Sequence, residues 1–586
     1  MGSFFKYTFA TILGLFLFSV ISIFILIGIG AAAGGEKGVT VKDNSVLKIK
    51  LDQEIVEREK DDPFAELNLP GAPPASMGLY ELKKAILHAK EDSKIKGILI
   101  EGSFNNIGFA TNEELRAALL DFKKSKKFIY SYGEYFSEAT YYTSTVSDSI
   151  FLNPEGLVEF NGLSSNIPFF KGTLEKLEIQ PEIFRVGEFK AAVEPFFREN
   201  MSDANRMQAT SFLNSINNYN ISQVALSRNL SVKATNLLSD SMKVRSAEDA
   251  VSMGLVSKVA YFDQVLATIK KKLGVEKEED INFISYAKYK KADKGDEKDV
   301  SENKIAIIFG SGEIGSGKGD GESIGSDKIC EALRKARNDK KVKAVVLRIN
   351  SPGGSALASD VMWREIQLTK KVKPIIASMS DVAASGGYYM AMGCNKIVAH
   401  PNTITGSIGV FGLLFNAQNM LKNKLGITFD GVKTGVYSDI GNGTRPFTKG
   451  ERQIIQNEVN KIYETFTTKA AAGRNMSVED LKKIAGGRVW SGLEAKQNGL
   501  VDELGGMEKA IEIAAAEAKI GKDFRIRLLP VEKNIFEQIM EQLGGEAKIK
   551  FMKMELGEFY PVVSQIKKLQ SMEGIQARMP YDFILN

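Results

Sequence analysis

The feature that most constrains this chain is that it is written twice. Ala85-Ile86-Leu87 through Lys94-Ile95-Lys96-Gly97-Ile98-Leu99-Ile100 matches Ala332-Leu333-Arg334 through Lys341-Val342-Lys343-Ala344-Val345-Val346-Leu347. The match continues at an offset of about 247 residues. Phe128-Ile129-Tyr130 pairs with Pro374-Ile375-Ile376, Ile150-Phe151-Leu152-Asn153-Pro154 with Ile397-Val398-Ala399-His400-Pro401, and Phe184-Arg185-Val186-Gly187 with Val432-Lys433-Thr434-Gly435. Ala250-x-x-x-Gly254-Leu255-Val256 pairs with Ala495-x-x-x-Gly499-Leu500-Val501. Colinear matches of this extent mean a duplicated domain.

Inside each copy, short runs such as Ala344–Ile349, Pro374–Ser378 and Lys396–Ala399 are apolar on both alternations, as strands buried on both faces are. Helical patterns separate them, for example Ser326–Ala336 and Ala356–Thr369. Strand–helix alternation predicts an α/β fold with a largely parallel sheet. In such sheets chemistry sits on loops beyond the strand ends.

Ahead of the repeats, residues from Tyr7 to Gly35 carry no charge. Phe9 to Gly30 is long enough, at about 1.5 Å per residue, to cross a hydrocarbon layer roughly 30 Å thick. We expect an uncleaved transmembrane anchor over residues 1–35; a cleaved signal sequence ending near Ala31-Ala32-Ala33 is the rival. Lys6 and the terminal amine precede the segment, so the amino end faces the cytoplasm and the bulk lies outside it. The expected organisation is the anchor (1–35), a first repeat (36–285), a charged linker (286–304), a second repeat (305–530) and a tail (531–586).

Composition removes whole classes of chemistry. The 586 residues include only two histidines, His88 and His400, and two cysteines, Cys330 and Cys394. Disulfide frameworks, four-thiolate zinc sites and multi-histidine metal centres are excluded on that count. A net charge of +5, from 77 basic and 72 acidic residues, gives no argument for nucleic acid as a partner. His400 precedes Pro401 and has Asn153 as its counterpart, and His88 lies on an amphipathic helix beside Lys90; both read as structural or surface residues.

Three loops merit attention. Gly312-Glu313-Ile314-Gly315-Ser316-Gly317-Lys318 fits a phosphate-binding loop, but Gly319 stands where a Ser or Thr should hold Mg²⁺ and no helix follows, so it reads as a flexible loop. Asn350-Ser351-Pro352-Gly353-Gly354-Ser355 follows a buried strand, and its paired glycines let backbone N–H groups face a ligand; an ordinary tight turn would look the same. Asp381-Val382-Ala383-Ala384-Ser385-Gly386-Gly387-Tyr388-Tyr389 leaves a strand and enters a helix, placing Ser385 where an oxygen nucleophile gains from the following N–H, although Ser is also a common helix cap.

The repeat adds an independent argument. Opposite Ser385 the first copy reads Ala139, and the loop after Leu99-Ile100 lacks Pro-Gly-Gly. The first copy instead carries Lys190, in Gly187-Glu188-Phe189-Lys190-Ala191-Ala192-Val193-Glu194-Pro195-Phe196, opposite Ser438 of the second. A serine needs a base, and a lysine depressed from its usual pKa of about 10.4 by apolar burial can serve. The bland reading is a solvated surface amine.

These motifs, together with Thr405-Gly406-Ser407-Ile408-Gly409, resemble the bacterial signal peptide peptidase (SppA) family in its long, duplicated form, from the anchor to about residue 530. The resemblance implies two tandem ClpP/crotonase-like α/β domains and a Ser-Lys dyad. It makes Ser385 the nucleophile and Lys190 the general base, with Ser407 orienting the lysine and the Gly354 and Gly386 N–H groups holding the oxyanion. It further implies a homotetramer, no cofactor, and membrane-embedded signal peptides as substrates, cut at apolar and small side chains on the outer side of the bacterial inner membrane. The alternatives are a crotonase-type acyl-CoA hydratase or isomerase, for which no nucleotide contacts can be located, and a non-catalytic membrane scaffold.

Overall fold

Runs that are apolar on both alternations do become strands covered on both faces. The computed structural model describes residues 3–18 except 5 and 16, together with 39–59, 76–102, 107–292, 301–319, 323–531 and 575–579. Much of the expected anchor, residues 19–35, and residues 532–574 and 580–586 of the tail lie outside the described residues. Among the described residues no helix is long and apolar enough to cross a membrane.

The first repeat is built on six parallel strands, in spatial order Lys258–Val259, Ser149–Val158, Phe128–Phe136, Ile95–Glu101, Ser45–Lys50 and Asn282–Ser285. The second repeats the plan with Ile404–Gly406, Ile375–Ala384, Val342–Ser351, Lys304–Ser311 and Arg525–Leu529. Val489–Ser491 closes one end antiparallel to Ile404–Gly406. Lys396–Ala399 pairs with Ile375–Ala384 as a branch.

Alternate residues of each central strand enter different cores. Val345, Leu347 and Ile349 pack on one side of the second sheet, while Ala344 and Val346 face Met507, Ala510 and Ala514 on the other. In the first sheet Ile98 and Ile100 face one cluster, and Leu99 faces Val265 and Ile269.

The duplication extends to details of capping. Asp203–Arg228 and Lys449–Arg474 each run 26 residues, start behind Ser202 and Thr448 side-chain caps, and end on left-handed Asn229 and Asn475. Arg228 donates to the Gly254 carbonyl at 3.0 Å, and Arg474 to the Gly499 carbonyl at 2.9 Å.

Three sequence expectations need correction. Tyr286–Ala292, read as linker, is a helix whose Tyr286 and Tyr289 are buried in the first repeat's core, so two aromatics outweigh a charged composition. Val432–Gly435, aligned with Phe184–Gly187, is exposed and forms no strand, because the partner used by Phe184 is not duplicated beside it. Tyr141 and Tyr388 make equivalent bonds, to the Leu255 and Leu500 carbonyls, which places Glu138 rather than Ala139 opposite Ser385.

The two repeats are joined by backbone. Gln180–Val186 of the first pairs antiparallel with Val410–Asn416 of the second, from Val186 against Val410 to Gln180 against Asn416. A buried ionic cluster reinforces the joint: Glu114 meets Arg348 at 2.7 Å, His400 at 3.2 Å and Lys83, and Arg348 also meets Glu57 at 2.7 Å. Although burial raises it, Arg348 and Lys83 hold the Glu114 carboxyl well below its ordinary value.

Candidate active site

The site forms where the joint crosses the ends of the second sheet. Ser385 ends the strand Ile375–Ala384 and precedes the helix Gly386–Ala391, with φ 53° and ψ −109°. A non-glycine residue at positive φ is strained, and surrounding structure must hold it there. Two backbone bonds do so: Ser385 N–H donates to the Gly406 carbonyl at 2.8 Å, and the Ser385 carbonyl accepts from Tyr389 N–H at 2.8 Å.

Lys190 arrives from the first repeat, at the turn after Gln180–Val186. Its Nζ lies 2.9 Å from Ser385 Oγ, 3.0 Å from Ser407 Oγ and 3.1 Å from the Ser407 carbonyl oxygen. All three side chains have no exposed surface. Burial holds the Lys190 amine well below the usual lysine value. A neutral amine at this distance can accept the serine proton, which an ammonium cannot.

Several groups keep the lysine in place, some inside the quoted lysine motif and some outside it. Phe189 N–H donates to the Gly486 carbonyl at 3.1 Å, and Gly487 packs so closely that a Cβ there would stand 2.6 Å from Lys190 N. Gln208 bridges the repeats, donating to the Phe189 carbonyl at 3.0 Å and accepting from Val489 N–H at 3.1 Å. Glu194 accepts from Ser202 N–H and Asn205 Nδ2 and so ties the lysine motif to the start of the long helix. The Gly486-Gly487 doublet is a signal that the sequence reading passed over; Gln208, inside a polar helix, offers none.

Gly353 and Gly354 form the strand Gly353–Ser355 beside Gly386. A Cβ on Gly353 would stand 2.7 Å from Gly386 N, so the glycine loop and the amide following Ser385 share one small space. Gly354, one residue on, pairs with Ile314 on its other side. The Gly312–Lys318 loop is thereby absorbed into the sheet, since Ile314–Gly315 pairs with Gly354 on one side and with Ile324–Gly325 on the other.

The remaining candidates lie elsewhere. His400 is bonded to Glu114 within the ionic cluster, and His88 Nδ1 lies 3.2 Å from Tyr289 Oη. Ser438, aligned with Lys190, is exposed and bonds the Gly435 carbonyl. Glu138, at the first repeat's position equivalent to Ser385, accepts from Asn161 and Gly162 N–H groups, and burial pushes its pKa up to about 7. Among the described residues no cluster of His, Cys, Asp or Glu could hold a metal ion.

Comparison with known proteins shows the family of the chain. The model of peptidase family S49 matches twice, at residues 121–276 and 367–521. Lys190 falls in the first match, and Ser385 and Ser407 in the second. Serine protease SPPA, chloroplastic, of Arabidopsis thaliana is 33% identical over 92% of this chain and 78% of its own length. Protease 4 of Haemophilus influenzae is 32% identical over 90% of this chain and 91% of its own. A solved chain of a ClpP1 point mutant from Listeria monocytogenes aligns over 35% of this chain and 94% of its own, at 17% identity and a TM-score of 0.25, too slight a likeness to bear on the fold. Two family matches spanning more than half of the sequence, with relatives alike over nearly its whole length, show that the chain belongs to peptidase family S49.

Proposed function

We propose that this serine-type peptidase works through a Ser385–Lys190 dyad on two ClpP/crotonase-like repeats, and that its substrates are signal peptides left in the membrane after protein export. The observation that carries the reading is the buried 2.9 Å approach of Lys190 Nζ to Ser385 Oγ. Neutral Lys190 takes the Ser385 proton as the oxygen attacks a peptide carbonyl. Ser407 orients the amine, and the N–H groups of Gly354 and Gly386 receive the oxyanion. Lys190 then protonates the leaving amine and activates the water that hydrolyses the acyl-enzyme. This acyl transfer draws on two side-chain hydroxyls, one amine, two backbone N–H groups and water.

A relative from Enterococcus faecium, named as a candidate signal peptide peptidase SppA, is 35% identical over 41% of this chain. The uncharged segment from Tyr7 to Gly35 supports an anchored enzyme in the bacterial inner membrane, with its catalytic domains on the outer side. Homotetramerisation is supported by the counterpart of the joint strand, since residues 427–433 are exposed and belong to no strand of this chain, which leaves them open to a neighbouring subunit. The test is cleavage of a synthetic apolar signal peptide, followed by mass spectrometry. Wild type should cut it next to small residues and Ser385→Ala should leave it intact; equal cleavage by both would remove Ser385 from the mechanism.

A further inference from the structure

Arg488 lies beside the lysine loop without a counter-ion. It follows Gly487, the glycine packed against Lys190, and is half-buried. Among the described residues its guanidinium makes no hydrogen bond or ion pair, and Nε is buried with no acceptor. It stands instead over two aromatic rings, 5.2 Å from the centroid of Phe189 and 4.0 Å from that of Trp490. A charge drawn partly out of water needs compensation, and ring faces supply it to a planar guanidinium.

The two rings belong to different repeats. Phe189 immediately precedes Lys190 in the first. Trp490 sits in the core of the second, donates from Nε1 to the Ile484 carbonyl at 3.0 Å, and leaves a Cβ on Gly406 only 2.8 Å from its Cδ1. The Arg488 carbonyl accepts from Ser407 N–H at 2.7 Å and so helps to hold Ser407 at φ 49°. One residue thus supports both neighbours of the amine, Ser407 through its backbone and the lysine loop through its side chain.

The first repeat shows what this position becomes without a nucleophile. Ser246 and Ser491 cap the equivalent helices Ala247–Ser252 and Gly492–Gln497, and two residues before each cap Val244 and Val489 are buried. That register sets Lys243 opposite Arg488 and Arg245 opposite Trp490, and both first-repeat residues are exposed. The aromatic stack is present only in the copy that holds Ser385.

No charged side chain bonds to Lys190, whose amine faces Ser385 and Ser407. Titratable groups on the elements packed around it are engaged elsewhere. Glu194 and Arg185 face each other at 3.9 Å, Tyr463 Oη accepts from Gly486 N–H, and Lys482, over the Tyr463 ring, pairs with Glu464 at 2.7 Å.

We propose that Arg488 is a positioning residue of the dyad, clasping the Phe189 end of the lysine loop to the second repeat so that Lys190 stays dry and within reach of Ser385. The inference rests on the dyad reading above. Loosening the clasp admits water to the amine, and hydration returns a lysine toward its usual pKa of about 10.4. Less of it is then neutral at pH 7, and the serine proton finds no acceptor. Loss of a nearby positive charge acts with the same sign.

The experiment measures kcat and KM across pH for cleavage of an apolar peptide by the full chain, as wild type, Arg488→Met, Arg488→Lys and Phe189→Leu. Arg488→Met should lower kcat about 10-fold at neutral pH with KM little changed. Its rise with pH should move up by about half a unit or more, so that the deficit narrows toward alkaline pH. Arg488→Lys, which keeps the charge and loses the planar stack, should fall between. Phe189→Leu removes the ring from the other repeat, which also covers an Arg488→Met chain that fails to fold. It should shift the rise in the same direction and add little to Arg488→Met in the double variant. A wild-type rise that all three single variants share unchanged overturns the inference and leaves the dyad reading standing. So does a kcat lowered equally at every pH, as loss of folded enzyme would give, or a raised KM with unchanged kcat, as a substrate contact would give. A wild type whose rate does not rise with pH overturns both.

Discussion

Lys190 Nζ and Ser385 Oγ lie 2.9 Å apart within one chain although 195 positions separate them. The joint strand of the first repeat delivers the lysine to the serine of the second. Each repeat therefore lacks what the other holds, and the two side chains meet only when the joint is formed.

The protonation of Lys190 sets a pH dependence with a defined sign. Burial lowers its folded-state pKa, so activity should rise with pH through that lowered value and then level off, in peptide-cleavage profiles from acid to mildly alkaline pH. Between the lowered value and the unfolded value of about 10.4, the unfolded chain binds a proton that the folded chain does not. Stability from this group therefore increases as pH rises through that window, by up to about 1.4 kcal/mol per pH unit. Lys190→Met should abolish cleavage while raising the denaturation midpoint at neutral pH; a lowered midpoint would show that the lysine is not held neutral.

Ser407 touches the lysine and not the nucleophile in this geometry. Ser407→Ala should lower kcat about 10- to 100-fold, the scale of a misplaced reacting group, with KM little changed. Its pH profile should also shift, because one of the oxygens within 3.1 Å of Lys190 Nζ is lost. An unchanged profile and kcat would assign Ser407 a purely structural part.

Gly487 has φ +85°, and a Cβ there would stand 2.7 Å from both the Cα and the Cβ of Lys190. Gly487→Ala should therefore push the lysine away from Ser385 and cost about 100-fold in kcat. Circular dichroism should show the fold retained, and wild-type turnover in the variant would mean that the lysine loop is free to adjust.

The ionic cluster at the joint predicts a stability effect. Glu114→Ala leaves the fully buried Arg348 without one of its two carboxylate partners. Breaking such a pair from one side costs about 3–5 kcal/mol, readable in urea denaturation. A loss below about 1 kcal/mol would place the cluster in the class of solvated surface pairs.

The sequence disclosed much of this because duplication and strand burial are local patterns. Lys396–Ala399 was read with its observed bounds, and Ser326–Ala336 and Ala356–Thr369 fell within two residues of the helices Ser326–Asn338 and Ala356–Lys370. Ser385 and Lys190 stood out because each was present in one copy and absent from the other. What escaped depends on distant partners. Gln208 matters only through Phe189 and Val489, which the fold brings to it. The one-residue slip that set Ala139 opposite Ser385 arose because small and polar residues at a helix start carry no periodic signal, whereas the bond of Tyr141 to Leu255 fixes the register. The tail strand Ile575–Arg578 was unreadable for the same reason, since its partners lie more than one hundred and fifty residues away.

The most direct test of the intrachain dyad mixes two inactive proteins. Lys190→Ala and Ser385→Ala chains, co-refolded in equal amounts, are assayed on an apolar peptide that the wild type cleaves. With both dyad members drawn from one chain, the mixture should remain as inactive as its components, at least about 10⁴-fold below wild type. Recovery of activity in the mixture, or cleavage by Ser385→Ala alone, would contradict the account.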